Sequence, residues 1–461
     1  MRSPISRREF LESGVALVLG SRIGGVRGRK SILALLAMRE EHHCLARTAT
    51  ANSGWVPVYQ VNCDGQPGDL LRIRAQVEMT NDSEGAVRGH LRIAAGGLQV
   101  STASAQNCLP GEEAHHMPLW AEGVYRVPSS GPIAVGAEFM ATRADGDPPV
   151  QINDGYGHLV VEQYRAFPSE IRARLAGARG IVGWAEDKAE KVDAYGGSFD
   201  DRARVYRVAL RTVPSDLVRL YGQATSQFAG GLEMHGQGIW LGDSTLISPW
   251  STENTPYEIQ TVPLWTDALH EADHGDTATY TLTMHGVTRS GSRPVVTGAG
   301  HLYALQFRRL DLAPDALVLL ESQVVGGSTH DLGVTANDGW RELVSHRMRL
   351  RRGDLVRVFG SAQLGYPLDF PDNLGILCEM DTQVLDEAGT VVDRSNPALK
   401  SITRRLEQLP LRSEQLVPVS QSGTYRVRLR LQCTREGASP RVTAMGECSR
   451  LIIDRFGAAL T

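Results

Sequence analysis

The chain has no apolar run near the roughly 18 residues that a membrane-spanning helix requires, so no membrane span is expected. It has no large surplus of charge of either sign: 48 Lys and Arg stand against 52 Asp and Glu, a formal net charge of −4. That balance gives no electrostatic case for nucleic acid or for an anionic membrane as partner. Cysteine is sparse, with 6 in 461 residues. No C-x-x-C occurs, which excludes a zinc knuckle or a thioredoxin-like motif. There is no G-x-x-x-x-G-K-[ST], no Rossmann glycine pattern and no H-E-x-x-H, so no cofactor is expected. What remains is an ordinary globular composition, 42% hydrophobic and 22% charged, at a length that suits about three domains.

Internal repetition supplies those domains. Five landmarks recur in constant order at spacings of roughly 140–150 residues. The first is an apolar run: Ile32-Leu33-Ala34-Leu35-Leu36, Ile181-Val182-Gly183-Trp184 and Leu317-Val318-Leu319-Leu320. The second is a turn entering a strand: Pro67-Gly68-Asp69-Leu70-Leu71-Arg72, Pro214-Ser215-Asp216-Leu217-Val218-Arg219 and Arg352-Gly353-Asp354-Leu355-Val356-Arg357. The third is Pro118-Leu119-Trp120, Pro263-Leu264-Trp265 and the weaker Pro410-Leu411-Arg412. The fourth is Tyr125-Arg126-Val127, Tyr280-Thr281-Leu282 and Tyr425-Arg426-Val427. The last runs from Gly157-His158-Leu159 to Gln163-Tyr164-Arg165, from Gly300-His301-Leu302 to Gln306-Phe307-Arg308, and from Ser449-Arg450-Leu451 to Asp454-Arg455-Phe456. The modules are therefore 30–167, 178–310 and 311–457, with a linker at 168–177 and a tail at 458–461.

The landmarks have the period of strands. Leu70 to Met79 and Thr424 to Leu431 alternate apolar and polar residues, and Gly-Asp or Ser-Asp pairs open such strands as tight turns. Short helices are expected only at Ser169–Ala176 and Ser401–Gln408. Several short, one-sided strands per module predict an all-β chain of three tandem two-sheet β-sandwiches, jelly-roll-like, able to pack with pseudo-threefold symmetry. An immunoglobulin-like array is the rival. The feature order resembles the complement and tumour-necrosis-factor jelly-roll family: an early apolar strand, a Gly-Asp turn, a late Tyr strand and a Gly-rich turn into a final strand. The resemblance spans each module. That family forms trimers, so it implies a monomer whose three modules close into an intrachain pseudo-trimer.

The N-terminus, residues 1–29, carries Ser6-Arg7-Arg8-Glu9-Phe10-Leu11 and then Val15-Ala16-Leu17-Val18-Leu19. This resembles the bacterial twin-arginine export signal, with Arg7 and Arg8 as its twin arginines. It departs from the pattern in a short apolar region broken by Arg22 and in the lack of a clear cleavage site. The resemblance implies an extracellular or cell-surface protein of a bacterium; a plain N-terminal arm is the alternative.

Candidate chemistry is scattered. Gly242-Asp243-Ser244-Thr245 with Asp267 and His270 has an esterase-like composition, although a loop turn is the better account of it. His270, Asp273 and His274 form the densest candidate metal set. A second metal candidate combines His42, His43 and Cys44 with His115 and His116. His158 and His301 share a repeat position. Trp120 and Trp265 are candidate ligand platforms for a glycan, with core packing as the alternative. Cys433 with Cys448, and Cys63 with Cys108, are candidate disulfides for an exported chain. Arg352-Gly353-Asp354 spells an adhesion tripeptide that the repeated turn explains. No residue is assigned as catalytic. The expectation is an exported, non-enzymatic binding or structural protein that presents loops to an extracellular protein or glycan. Two alternatives stand beside it: a secreted hydrolase or carbohydrate-active enzyme with Ser244, His270, Asp273 and His274 in one cleft, and a virion or particle component.

Overall fold

The computed structural model describes residues 32–41, 43–101, 104–108, 116–143, 146–167, 179–190, 194–195, 203–227, 233–242, 244–248, 251–255, 261–288, 295–309, 317–326, 330–367, 375–402 and 408–458. Every regular element among them is a β-strand. Residues 32–167 contain β1 (Ile32–Glu41), β2 (Thr48–Thr50), β3 (Val56–Gly65), β4 (Leu70–Thr80), β5 (Val87–Ala95), β6 (Leu98–Gln99), β7 (Ser104–Cys108), β8 (His116–Arg126), β9 (Gly131–Thr142), β10 (Pro149–Ile152) and β11 (His158–Phe167). Residues 179–309 contain β12 (Arg179–Glu190), β13 (Ala194–Tyr195), β14 (Ala203–Arg211), β15 (Leu217–Gln227), β16 (Glu233–Leu241), β17 (Thr245–Leu246), β18 (Ser251–Thr255), β19 (Thr261–Glu271), β20 (Thr277–Thr288) and β21 (Val295–Arg309). The last third contains β22 (Leu317–Gly326), β23 (Leu332–Thr335), β24 (Arg341–Leu350), β25 (Leu355–Gly365), β26 (Ile376–Leu385), β27 (Val391–Arg394), β28 (Ala398–Ile402), β29 (Gln408–Pro418), β30 (Gly423–Thr434) and β31 (Arg441–Ala458).

The same pairing recurs three times. Inner sheets run β1-β11-β4-β8, β12-β21-β15-β19 and β22-β31-β25-β29. Outer five-stranded sheets run β3-β9-β5-β6 with β7 on β5, β14-β20-β16-β17 with β18 on β16, and β24-β30-β26-β27 with β28 on β26. Among the long strands of a module, the first, eighth, third and sixth therefore pair in one sheet, and the second, seventh, fourth and fifth in the other. This is jelly-roll order. The Tyr landmark is misaligned in the first module. Tyr280 and Tyr425 lie on β20 and β30, the seventh long strands, whereas Tyr125 lies on β8, the sixth. Both ends of the helix expected at Ser401–Gln408 are strand instead: Ser401 lies in β28 and Gln408 opens β29, while residues 403–407 lie outside the described residues. The 168–177 linker and residues 1–29 lie outside the described residues.

Outer strands follow the simple rule for a half-solvated sheet. In β5 and β30 buried residues alternate with half-exposed ones along the strand, because successive side chains point to opposite faces. Inner strands break that rule. β4 is buried at every position, although its sequence LLRIRAQVEMT places a polar residue at most alternate sites. One face covers its own sandwich core and the other faces the remaining modules. The three opening strands meet there. Leu33 of β1 pairs with Ile181 of β12, Leu35 with Leu317 of β22, and Arg179 of β12 with Leu319 of β22. The inner sheets thereby join into one 16-stranded sheet. An apolar cluster at the junction takes repeat-equivalent side chains from every module: Leu35, Ile181 and Leu319, with Tyr164, Phe307 and Phe456.

The shared turn has one physical explanation in all three copies. Gly68, Ser215 and Gly353 take left-handed conformations, with φ of 91°, 69° and 89°. The next residue, Asp69, Asp216 or Asp354, is buried and accepts a backbone N–H from three residues earlier at 3.0, 2.9 and 2.7 Å. Arg165 and Gln163 complete the partners of Asp69, and Arg308 and Gln306 those of Asp216. In the third module Arg455 stands in the Gln register and reaches Asp354 at 2.7 Å. Gly457 occupies the register of the missing arginine, where a Cβ would stand 2.7 Å from the Asp354 carboxylate. Arg352-Gly353-Asp354 is thus a structural turn with its carboxylate buried.

Replacing Asp216 with Ala strips this turn of its acceptor, leaves Arg308 and the Val213 N–H without their partner, and leaves Gln306 with the Arg211 carbonyl alone. The expected loss is about 2–3 kcal/mol of unfolding free energy, measured by urea denaturation.

Candidate functional site

The polar face of the inner strands converges between the modules. Arg72 on β4, Arg219 on β15 and Arg357 on β25 hold the same repeat position and are each 1% exposed. Across the sheets, in register two residues further along these strands, stand Glu122 on β8, Asp267 on β19 and Glu414 on β29. All three are buried. The final strands add Glu162 on β11 and Asp454 on β31, opposite Arg72 and Arg357.

Each pair of modules is linked through this set. Between the first and second, the Arg72 guanidinium lies 3.5 Å over the Tyr221 ring, and His301 Nε2 stands 3.6 Å from Glu122. Between the second and third, Arg219 meets Asp454 at 3.0 Å, Arg357 donates to the Tyr221 hydroxyl at 3.1 Å, and Arg412 pairs with Asp267. Between the third and first, Arg357 pairs with Glu162, Arg74 pairs with Glu414, and Asn396 donates to the Gly157 carbonyl at 2.7 Å. Within the first module Arg72 grips Glu122 through Nε and Nη2 at 2.9 and 2.7 Å.

The electrostatic consequence is mutual. Burial opposes ionisation of Glu122, but Arg72 and His301 overcome it and hold its carboxyl down at about 2. Burial likewise opposes Asp454, and Arg219 with Arg357 brings it down to about 2. Glu162 is buried too, and Arg357, Arg72 and Arg74 hold it well below the usual carboxylate range. Charges so deeply buried are tolerable only when paired and fully hydrogen-bonded, and losing one partner exposes the cost of the other.

Next along the same face lie the repeated tryptophans. Trp120 and Trp265 are 9% and 6% exposed and meet edge to face at 6.4 Å. Arg412, the third copy of that position, lies 5.6 and 5.4 Å over their rings. They are contacts between modules, not exposed sugar platforms, because the neighbouring modules cover the edge strands that carry them. His158 and His301 are buried edge-on against Trp120 and Trp265 at 6.0 and 6.1 Å. A crevice lined by Trp265, Asp267, Arg412 and Arg450 holds about 20 Å³, room for one water and not for a sugar ring.

The remaining candidates stay apart. His270 Nδ1 lies 2.9 Å from the Tyr280 hydroxyl, and burial lowers its imidazole. Asp273 and His274 are exposed on the following turn, and among the described residues no group of three metal-ligating side chains forms. Ser244 sits exposed in the turn after β16, where Gly242 takes a φ of 61°; Asp267 is committed to Arg412, so no triad forms from these residues. Cys44 contacts the Tyr59 hydroxyl at 3.2 Å and His43 is exposed; His42 and His115 lie outside the described residues, as do the side chains of His116 and Cys108. Cys433 and Cys448 are not joined by a disulfide. Cys433 faces Cys378 instead, directly across β26 and β30, with sulfurs 3.7 Å apart. The pairing with Cys448 fails because Cys448 lies on β31 of the inner sheet, while Cys433 belongs to the outer one. Arg7 and Arg8 lie outside the described residues.

No family model matches the chain, and no curated protein matches it. Solved structures that the chain matches weakly include the infectious bursal disease virus VP2 subviral particle: 9% identity, 86% of this chain and 74% of that one, TM-score 0.21. A second is the STIV MCP, at 8% identity over 60% of this chain and 97% of that one, TM-score 0.21. A third is the tandem CBM22 domain from Paenibacillus barcinonensis Xyn10C, at 11% identity over 59% of this chain and 98% of that one, TM-score 0.17. Likeness at this level carries no argument about function, and the jelly-roll assignment rests on strand order.

The polar face has one visible signal in the sequence: an arginine closes the Asp-Leu-[Leu/Val]-Arg landmark in every copy. Replacing Glu162 with Gln leaves Arg72, Arg74 and Arg357 short of a counter-charge. The expected loss is about 3–5 kcal/mol, read from chemical denaturation. Acid provides a second test. Because the folded carboxyls of Glu122 and Asp454 titrate below their unfolded values, their contribution is complete above about pH 5 and drains away as pH falls toward 2. Thermal melts across that range are expected to fall steeply, and those of Glu122→Gln less so.

Proposed function

We propose that the chain is a non-enzymatic binding or structural protein, a single-chain pseudo-trimer of jelly rolls exported through its twin-arginine-like N-terminus. The observation that carries this reading is the use of the inner faces. The tryptophans that the sequence offered as a candidate site, and the repeat-equivalent polar residues beside them, are consumed in contacts between modules. Arg72, Arg219 and Arg357 are buried against other modules, as are Trp120 and Trp265, with the half-buried Arg412 over both rings. A chain that closes on itself in this way satisfies its own trimer-type interface and needs no second copy. Its outer sheets and turns remain for a partner.

Sedimentation of the purified chain is expected to give one chain per particle at micromolar concentration. A trimer or a large shell would overturn the closed-monomer reading and favour a particle component. Export is tested separately: Arg7→Lys with Arg8→Lys is expected to hold the protein in the cytoplasm of a bacterial host, and unchanged secretion would remove that part of the proposal.

A further inference from the structure

The outer sheets of the modules are not alike. On β30 the half-exposed positions include Arg426, Arg428 and Arg430, alternating with buried Val427, Leu429 and Leu431. On β24, Arg347 stands in register with Arg426, and Arg349 with Thr424; both arginines are exposed. On β27, Arg394 lies opposite Gln383, which is itself opposite Arg428. These side chains share the solvent face of one sheet, since residues paired across antiparallel strands point the same way. The carboxylates in register on that face are Glu342, Glu379 and Asp381. Asp381 is fully buried beneath Arg430 and Arg394, and Glu342 serves Arg426. Arg428 is left with the neutral Gln383 oxygen at 2.7 Å and Glu342 no closer than 3.9 Å. Partial burial, then the neighbouring Arg430 and Arg426, push its guanidinium pKa down against Glu342 and Asp381. At the equivalent strand of the second module the residues are threonines, Thr277, Thr279, Thr281 and Thr283.

We infer that this face of the third module binds an acidic polysaccharide, a polymer carrying repeated carboxylate or sulfate groups. Guanidinium groups recognise such anions by paired, charge-assisted hydrogen bonds. Alternate residues on a strand lie about 6.7 Å apart and neighbouring strands about 4.8 Å, so the array presents cations at a spacing suited to a linear polyanion lying across a flat sheet. Nucleic acid fits less well. Single strands need aromatic faces on which bases stack, and the nearby Trp340 ring is already covered by Arg430 at 4.5 Å and Arg394 at 4.9 Å. This inference rests on the binding-protein reading but is tested apart from it.

The test measures binding of the full chain to heparin and to polygalacturonate, beside anionic phosphatidylglycerol vesicles and an oligothymidylate. Salt-sensitive polysaccharide binding is expected. The variant Arg347→Gln/Arg349→Gln/Arg428→Gln is expected to weaken it by about tenfold or more, the equivalent of at least one charge-assisted hydrogen bond. Lysine at the same positions retains most of it. An equal charge loss on the second module, Arg204→Gln/Arg207→Gln/Arg211→Gln, leaves it intact, and matched thermal melts exclude misfolding. The proposal is overturned by absence of polysaccharide binding, by preference for vesicles or the oligonucleotide, or by equal losses in both triple variants. A monomeric chain that fails this test loses the polysaccharide site alone.

Discussion

The architecture depends on one buried carboxylate and the cations around it. Glu162, fully buried, receives Arg72 and Arg74 from its own module and Arg357 from the third. Arg357 also holds Asp454 and the Tyr221 hydroxyl, and Asp454 holds Arg219. A continuous chain of charge therefore passes through all three modules. Such networks add little net stability compared with well-packed apolar groups, but they punish the wrong arrangement severely. Sliding one module against another strands several buried charges at once. The apolar cluster around Leu35, Ile181 and Leu319 supplies cohesion, and the charges specify how the modules meet.

The repeated landmarks made the fold legible because they encode local chemistry. The Gly-Asp and Ser-Asp turns need a left-handed residue followed by a buried acceptor, and Gly68, Ser215 and Gly353 with their aspartates provide it. Strand alternation set the two faces of each sandwich. The same alternation misled where it mattered for function. Arg72, Arg74 and Gln76 on β4 read as a solvated face, yet all are buried, because a period of two cannot tell water from another polar protein surface. Trp120 and Trp265 read as ligand platforms for a related reason: an aromatic at a sheet edge looks the same whether a sugar or a neighbouring module covers it. The Cys433 partner was illegible because it depends on which sheet each strand enters, and Cys378 is distant in sequence.

The three copies have diverged by place. Some inner positions keep their contacts when residue types change: Arg412 lies over both tryptophan rings at the position where tryptophan itself recurs, and Arg455 reaches Asp354 where a glutamine and an arginine reach the aspartate elsewhere. Outer positions have drifted freely, to threonines on β20 and arginines on β30.

The most direct measurement of the central claim is native-state hydrogen exchange followed by mass spectrometry on the single chain. If the charge network and junction join the modules into one cooperative body, β4, β15 and β25 exchange only through a shared, global opening, with matching free energies and matching denaturant dependence. If any one of these strands opens at markedly lower free energy while the other two stay protected, the modules fold as independent beads, and the interlocking account is wrong.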